Sequence, residues 1–420
     1  MKQGFLLLCS AAALLTACSS NDNPGNDTGS TVAHSTPAIQ LSVSAPQASI
    51  YTRGTGTVGG LVDTDGSTII TENKWAGQTI NVFMVDKGTT NLSRELDMDG
   101  NATGDILYNF TSMTTPADNA TGTAQRTDNA VKYYPPTGNF DFWAYHADNA
   151  TDPTNDTPGK DINFPGCLVL PFSIDGSQDL MTAKAELTKE QQETMRQQTG
   201  KENNYYSAFA ARRNVQPQLN FHHELTRLTF TVTANSATEA DPTNGVYITG
   251  IKVYSKDKGN LIVAYTPDTH LSSDATLAVF SEDSAALVLK ARADASANSS
   301  LIEISKNNNN VVHPDFDAAT STSNPKSVGE SLIVAPADHY TIVVNMKQHV
   351  LIYHDPTGKQ DRYTDKTFSQ KAVIRPIKGS FLKGHSYNVN IKIYGLKDIQ
   401  ISTTLSPWIK GEDIDVDEDK

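Results

Sequence analysis

The stretch Ile39-Gln-Leu-Ser-Val-Ser-Ala45 alternates apolar Ile39, Leu41, Val43 and Ala45 with polar Gln40, Ser42 and Ser44. A side-chain period of two belongs to a β-strand with one buried face. Shortly after it, Thr52-Arg53-Gly54 opens a Gly-rich run that reaches Gly59-Gly60. One cut at Arg53 would sever this strand from the rest of the chain, and a sheet that loses a strand keeps a place for another. Gly54 on the carboxyl side of Arg53, with Thr and Gly around it, leaves the bond open to a protease.

The chain has 420 residues, more than one ordinary core needs, so two domains are expected. With 19% charged residues and a net charge of −13, it lacks the basic footprint of a nucleic-acid or anionic-lipid binder. Asn, Thr, Ser, Gly and Asp are abundant and long amphipathic helical runs are scarce, which favours a loop-rich, all-β protein.

Residues 1–17 read as a secretory leader, with Lys2 followed by an apolar run from Phe5 to Leu15 that is too short for a bilayer span. The leader ends in Leu15-Thr16-Ala17-Cys18, which resembles the bacterial lipobox. Signal cleavage is expected between Ala17 and Cys18, with lipid on the Cys18 thiol. Cys9 leaves with the leader, so Cys167 remains as a small buried hydrophobe with no intramolecular disulfide partner. Residues 18–38 are a polar spacer between membrane and domain.

Further strands are expected at 79–85, 105–110, 140–145 and 168–172, with Pro135 to Asn139 as a turn and Asp179-Leu180-Met181 as the start of a loop. Thr188 to Gln198 is the best helix: Thr188 and Gln191 match a capping box, while Leu187 and Met195 are its only good apolar residues. It should lie on the surface, with little core packing. A second module is expected from about Leu219, giving domains 39–217 and 218–420. Its strands are expected at 228–232, 246–254, 261–265, 277–280, 287–289, 331–335, 340–345, 350–353 and 386–394. Short strands between polar turns point to sandwiches. In the tail, Ile399, Ile401 and Leu405 repeat the opening alternation, and Ile414 and Val416 alternate with Asp413, Asp415 and Asp417.

Patterns for catalysis and metal fail on inspection. His223-Glu224 begins like HExxH, but position 227 is Arg. His222 and His223 point to opposite faces of a strand. Asp97-Met-Asp99-Gly-Asn101 lacks the Gly placement and final Glu of a calcium loop. No GxSxG, P-loop or Rossmann fingerprint is present, so neither enzyme activity nor a cofactor is expected.

The leader, the spacer, the severable strand and the β modules together resemble the fimbrillins of the Bacteroidetes, subunits of type V pili. More specific are the blocks Tyr133-Tyr134-Pro135, Asn139-Phe-Asp-Phe-Trp-Ala-Tyr145, Asp179-Leu-Met181, Phe221-His-His-Glu-Leu-Thr-Arg-Leu-Thr-Phe230 and Trp408 to Gly411. The resemblance implies two tandem transthyretin-like Greek-key β-sandwich domains with few short helices. It also implies a lipoprotein precursor on the outer membrane, trimmed by an Arg-specific protease and then built into a fimbria. Carried onto this chain, the scissile bond is Arg53-Gly54 and the excised strand holds Ile39, Leu41, Val43 and Ala45. The strand donated by a neighbouring subunit lies somewhere between Ile399 and Val416. The partners implied are other pilus subunits and the protease. A competing reading is a non-polymerising surface lipoprotein, or a tip or anchor, that binds glycan or a host ligand through loops such as Asp148 to Lys160.

Overall fold

The computed structural model describes residues 36–44, 62–64, 68–70, 79–87, 92, 106–114, 121–148, 150, 159–160, 166–197, 206–241, 243–266, 271, 276–290, 314–329, 331–354, 356–357, 361–395 and 398–406. Ala17, Cys18, Ala45, Arg53, Gly54, Ile414 and Val416 lie outside them. In chain order the first elements are β1 (Leu41–Ser44), β2 (Val62–Thr64), β3 (Thr68–Ile70), β4 (Thr79–Asp86), β5 (Ile106–Thr114), β6 (Thr121–Arg126), β7 (Phe140–Ala147), β8 (Gly159–Lys160), β9 (Cys167–Ser173) and β10 (Leu180–Lys184). Two helices follow, α1 (Lys189–Arg196) and α2 (Ala208–Ala211). Then come β11 (Gln218–Asn220), β12 (His222–His223), β13 (Thr226–Ala234), β14 (Val246–Lys256), β15 (Lys258–Tyr265), β16 (Ala278–Phe280), β17 (Ser284–Val288), β18 (Lys326–Ser327), β19 (Leu332–Val334), β20 (Tyr340–Tyr353), β21 (Arg362–Ile374), β22 (Ser386–Gly395) and β23 (Asp398–Ser406). The protein is mostly β, as the composition implies.

The largest sheet has eight strands in the order β11-β1-β6-β5-β4-β7-β10-β12. Both faces of its centre are covered. On one face Ile80, Val82, Phe140, Phe142, Met181 and Leu219 form a core with Met195 of α1 and Ala208, Ala210 and Ala211 of α2. On the other, Phe83, Trp143 and Tyr145 pack with Leu168, Leu170 and Leu261 of the four-stranded sheet β16-β15-β9-β8. A strand covered on both faces needs a nearly continuous apolar run rather than strict alternation. Phe140-Asp-Phe-Trp-Ala-Tyr-His146 in β7 supplies one.

A separate core joins the five-stranded sheet β18-β13-β22-β23, which carries β19 on β13, to the four-stranded sheet β17-β14-β20-β21. Leu228, Phe230 and Val232 meet Ile342, Val344 and Met346 there. β15 and β16 do not join these neighbours in sequence; β15 pairs antiparallel with β9, from Lys258 opposite Ser173 to Tyr265 opposite Cys167. β11 and β12 likewise belong to the eight-stranded sheet.

Several expectations meet small corrections. Leu180 begins a full strand rather than a loop, because β10 runs antiparallel to β7 from Leu180 opposite Ala147 to Lys184 opposite Trp143. Val350 to Tyr353 is the outer end of β20 rather than a strand of its own, since the pairing with β21 continues to Tyr353 opposite Arg362. The helix follows its reading. Thr188 caps α1, the reciprocal Thr188–Gln191 capping box is formed, and Met195 is its buried residue.

The turn before β7 depends on Gly138. Its φ is +106°, and a Cβ there would lie 2.8 Å from Cζ of Phe140, a ring buried in the core. Gly138→Ala is expected to cost about 1–3 kcal/mol, read as a lower denaturant midpoint at unchanged slope.

Candidate strand-exchange site

β1 does not occupy an edge. It runs antiparallel to β6, with Leu41 opposite Ala124 and Val43 opposite Gly122. On its other side it runs parallel to β11, with Val43 opposite Leu219. Small residues across from Leu41 and Val43 leave room for both side chains in the core, where Val43 is fully buried. Ile39 is partly buried against the same core. Ahead of β1, Ile39 N donates to Lys132 O at 2.8 Å and Tyr134 N donates to Pro37 O at 3.1 Å. The slot therefore grips residues 37–44 along both of its walls.

β11 is too short to line the whole of that length, and a side chain extends it. The Gln216 amide accepts from Gln40 N at 3.3 Å through Oε1 and donates to Ala38 O at 3.1 Å through Nε2. One residue on, Ser42 N donates to Pro217 O at 3.2 Å. Gln216 is itself held. Tyr134 Oη lies 3.3 Å from Gln216 Oε1, and Gln191 Nε2 of α1 donates to the Gln216 carbonyl at 2.8 Å. Burial pushes the Tyr134 phenol far above its ordinary pKa, with neighbouring Tyr206 adding to the shift, so Tyr134 stays a neutral donor to that oxygen.

The tail residues Ile399, Ile401 and Leu405 lie in β23, the terminal strand of the five-stranded sheet. They stand opposite Ile393, Ile391 and Tyr387 of β22, and Ile399 and Ile401 are partly buried against the core. In this structure that stretch completes its own sheet. Cys167 is buried and unpaired by any disulfide, with burial raising its thiol pKa.

The Phe221 to Phe230 block builds a polar joint instead of a metal site. His223 Nδ1 hydrogen-bonds Asp179 Oδ2, and both side chains are fully buried. Glu224 accepts from Thr182 Oγ1 at 2.7 Å, Leu277 N at 2.9 Å and Lys383 Nζ at 3.2 Å. Arg227 Nε donates to Ser386 Oγ at 3.4 Å. Burial pushes the Arg227 pKa down to about 10 against the pull of Asp179, so it remains charged at neutral pH. Nearby, His146 places Nε2 2.7 Å from Asp148 Oδ1 and Nδ1 2.7 Å from Thr79 O. Burial opposes charge on His146, but the Asp148 hydrogen bond and carboxylate outweigh it and raise its pKa. Beside the joint lies a cavity of about 950 Å³ whose lining includes Trp143, Lys184, His222, Lys383 and His385. Lys184 Nζ sits over the Trp143 ring, 4.6 Å from its centroid. Among the described residues, no group of three or more His, Cys, Asp or Glu is placed to hold a metal, and no helix is long and apolar enough to cross a membrane.

The profile of the fimbrillin-like family matches residues 68–408. The chain belongs to the fimbrillin-like family. Fimbrillin-like proteins are structural proteins of fimbriae and the cell surface, without enzymatic activity. Solved structures similar to this fimbrillin-like chain include a protein assigned to cell adhesion from Bacteroides ovatus (15% identity, 89% of this chain and 99% of that one, TM-score 0.41). Others are a fimbrial assembly protein from Parabacteroides distasonis (10%, 88% and 98%, TM-score 0.34) and the fimbrial anchor protein Mfa2 from Porphyromonas gingivalis (10%, 88% and 98%, TM-score 0.28). No curated protein matches the sequence. The family match begins after β1, so the slot's occupant lies outside it while β6 and β11 lie within it. Gln216 and Gln191 escape sequence reading because a lone glutamine carries no periodic signal. Only the capping box singles out Gln191, and it does so for a different reason.

Proposed function

We propose that the chain is a structural subunit of a cell-surface fimbria, exported as a lipoprotein through Cys18 and assembled by strand exchange after a cut at Arg53-Gly54. The observation that carries the reading is the interior place of β1. It is walled by β6 and β11, it buries Leu41 and Val43, and it lies upstream of a Gly-rich run with a single arginine. Each buried Leu or Val contributes about 1.5–3 kcal/mol, and the strand adds its main-chain bonds. While tethered, the resident strand outcompetes any other by its effective concentration. Severed, it competes on equal terms.

The tail segment that suits the slot is Ile414 and Val416 with their flanking aspartates. Ser42 and Ser44 have Thr123, Thr121, Gln218 and Asn220 as register neighbours, all uncharged, so Asp413, Asp415 and Asp417 meet no like charge at the outward positions. Ile399, Ile401 and Leu405 are the other candidates, and β23 would have to leave β22 to supply them. On this reading residues 39–217 house the slot except for its β11 wall, and residues 218–420 supply that wall and the donor, with β12, β15 and β16 also returning to the first part. The neighbours are other pilus subunits, the processing enzyme is Arg-specific, and the precursor sits on the outer-membrane surface before joining a fimbria.

Treatment with an Arg-specific protease is expected to give a new N-terminus at Gly54 and an SDS-resistant ladder of oligomers, and Arg53→Ala to leave a monomer. An Arg53→Ala chain that polymerises equally well overturns the switch. A second reading, a non-polymerising binder of glycan or host ligand, draws on the cavity beside Trp143 and Lys184. Trimming at Gly54 without oligomers would favour it.

A further inference from the structure

We propose that Gln216 is the residue by which the slot captures an exchanging strand through its main chain alone. The inference rests on the strand-exchange reading and goes beyond it in naming a positioning residue and the class of strand it admits.

One residue of a neighbouring parallel strand would offer its N–H and its C=O to two backbone groups flanking a single residue of β1. The Gln216 primary amide does the same. Its Nε2 donates to Ala38 O and its Oε1 accepts from Gln40 N, on either side of Ile39. It thus adds a rung where β11 has not yet begun, since β11 starts at Gln218. Next along this wall, the Pro217 carbonyl accepts from Ser42 N. Ring closure leaves Pro217 no N–H to give, so the wall at this point only accepts. The rung is rigid because Tyr134 Oη donates to the same Oε1 and Gln191 holds the Gln216 carbonyl from α1.

The consequence is a selection rule written in backbone atoms. Any strand with apolar side chains at the Ile39, Leu41 and Val43 positions fits, whatever its outward residues. A proline at the Gln40 or Ser42 position is excluded, because each N–H is spent on this wall. Asp413-Ile-Asp-Val-Asp417 contains no proline, and it meets the rule at two of the three apolar positions, with Ile414 and Val416 in place of Leu41 and Val43 and Glu412 at the half-buried Ile39 position.

The test uses the full chain, the Arg-specific protease and a synthetic peptide of residues 36–46 in two forms. One is native; the other carries a backbone ester that replaces the Gln40 N–H by oxygen. After trimming, the wild-type slot should hold the native peptide about three- to tenfold more tightly than the ester, the worth of one ordinary hydrogen bond. In Gln216→Leu, native binding should fall about tenfold or more and the native-to-ester difference should vanish. A purely structural role for Gln216 would weaken both peptides and keep their ratio. An unchanged ratio in Gln216→Leu overturns the proposal. The substitution leaves the Gln216 carbonyl for Gln191, so α1 stays docked. In the uncut chain, hydrogen exchange at the Gln40 amide should quicken in Gln216→Leu by a similar factor while Ile39, bonded to Lys132 O, changes less. Equal rates there also overturn the proposal. If the trimmed wild-type chain never exchanges its strand, the polymerisation reading fails, and the uncut chain still decides whether Gln216 grips β1.

Discussion

Glu224→Ala is expected to lower stability by about 3–5 kcal/mol, more than any neighbouring surface substitution. The Glu224 side chain is 2% exposed and is hydrogen-bonded by three groups from separate parts of the fold. Thr182 comes from β10, Leu277 N from the approach to β16, and Lys383 from the loop before β22. Alanine would remove the acceptor of the Leu277 N–H and of the buried Thr182 hydroxyl, and each orphaned group costs about 1–3 kcal/mol. The loss should appear as a lower midpoint in guanidinium titration. Glu224→Gln keeps an acceptor oxygen and should lose clearly less. An alanine variant within 1 kcal/mol of wild type would show that the joint does not carry the contact between these strands.

What the sequence shows of this fold follows from how each strand is covered. β20 is legible from Tyr340 to Asn345 because Tyr340, Ile342 and Val344 alternate and face one core, which Met346 joins. Beyond them the strand runs out into solvent, where Leu351, Ile352 and Tyr353 are exposed, and its pattern no longer marks a continuous element. Its partner β21 gave no signal at all. Arg-Tyr-Thr-Asp-Lys-Thr-Phe-Ser-Gln-Lys is exposed or half-buried throughout, with only Phe368 of this run packed against the core, so main-chain pairing with β20 holds it more than an apolar face does. β6 is invisible for a related reason: Thr-Gly-Thr-Ala-Gln-Arg is built from small residues that make room for Leu41 and Val43. Periodicity reports what a strand buries, and these two bury little of their own.

The functional residues divide in the same way. β1 announces itself because its alternation is regular. Its position inside the sheet, which gives it meaning, comes from β6 and Gln216, neither of which stands out alone. The His222-His223-Glu224 motif could be excluded as a metal site from spacing. Its actual work depends on Asp179, Thr182, Leu277 and Lys383, which only the folded chain brings together.

Val43→Asp is expected to free the slot with no cut at all. Val43 is fully buried between Gly122 and Leu219, and an ionised carboxylate there would face an apolar core. That desolvation costs several kcal/mol. It acts against a strand whose buried Leu41 and Val43 contribute about 3–6 kcal/mol between them, so β1 should leave its place while the cores remote from it stay intact. The body retains its other cores, neither of which includes a residue of β1. Uncut Val43→Asp should therefore form SDS-resistant oligomers that uncut wild type does not, at a rate insensitive to an added Arg53→Ala substitution. Hydrogen exchange should show residues 36–44 unprotected and β13, β14 and β20 as protected as in wild type. Val43→Ala should fall between the two, loosening β1 by about 1–2 kcal/mol and leaving oligomerisation dependent on the protease. A Val43→Asp chain that stays monomeric, with β13, β14 and β20 protected and residues 36–44 open, would show that an empty slot is not sufficient to recruit a neighbour.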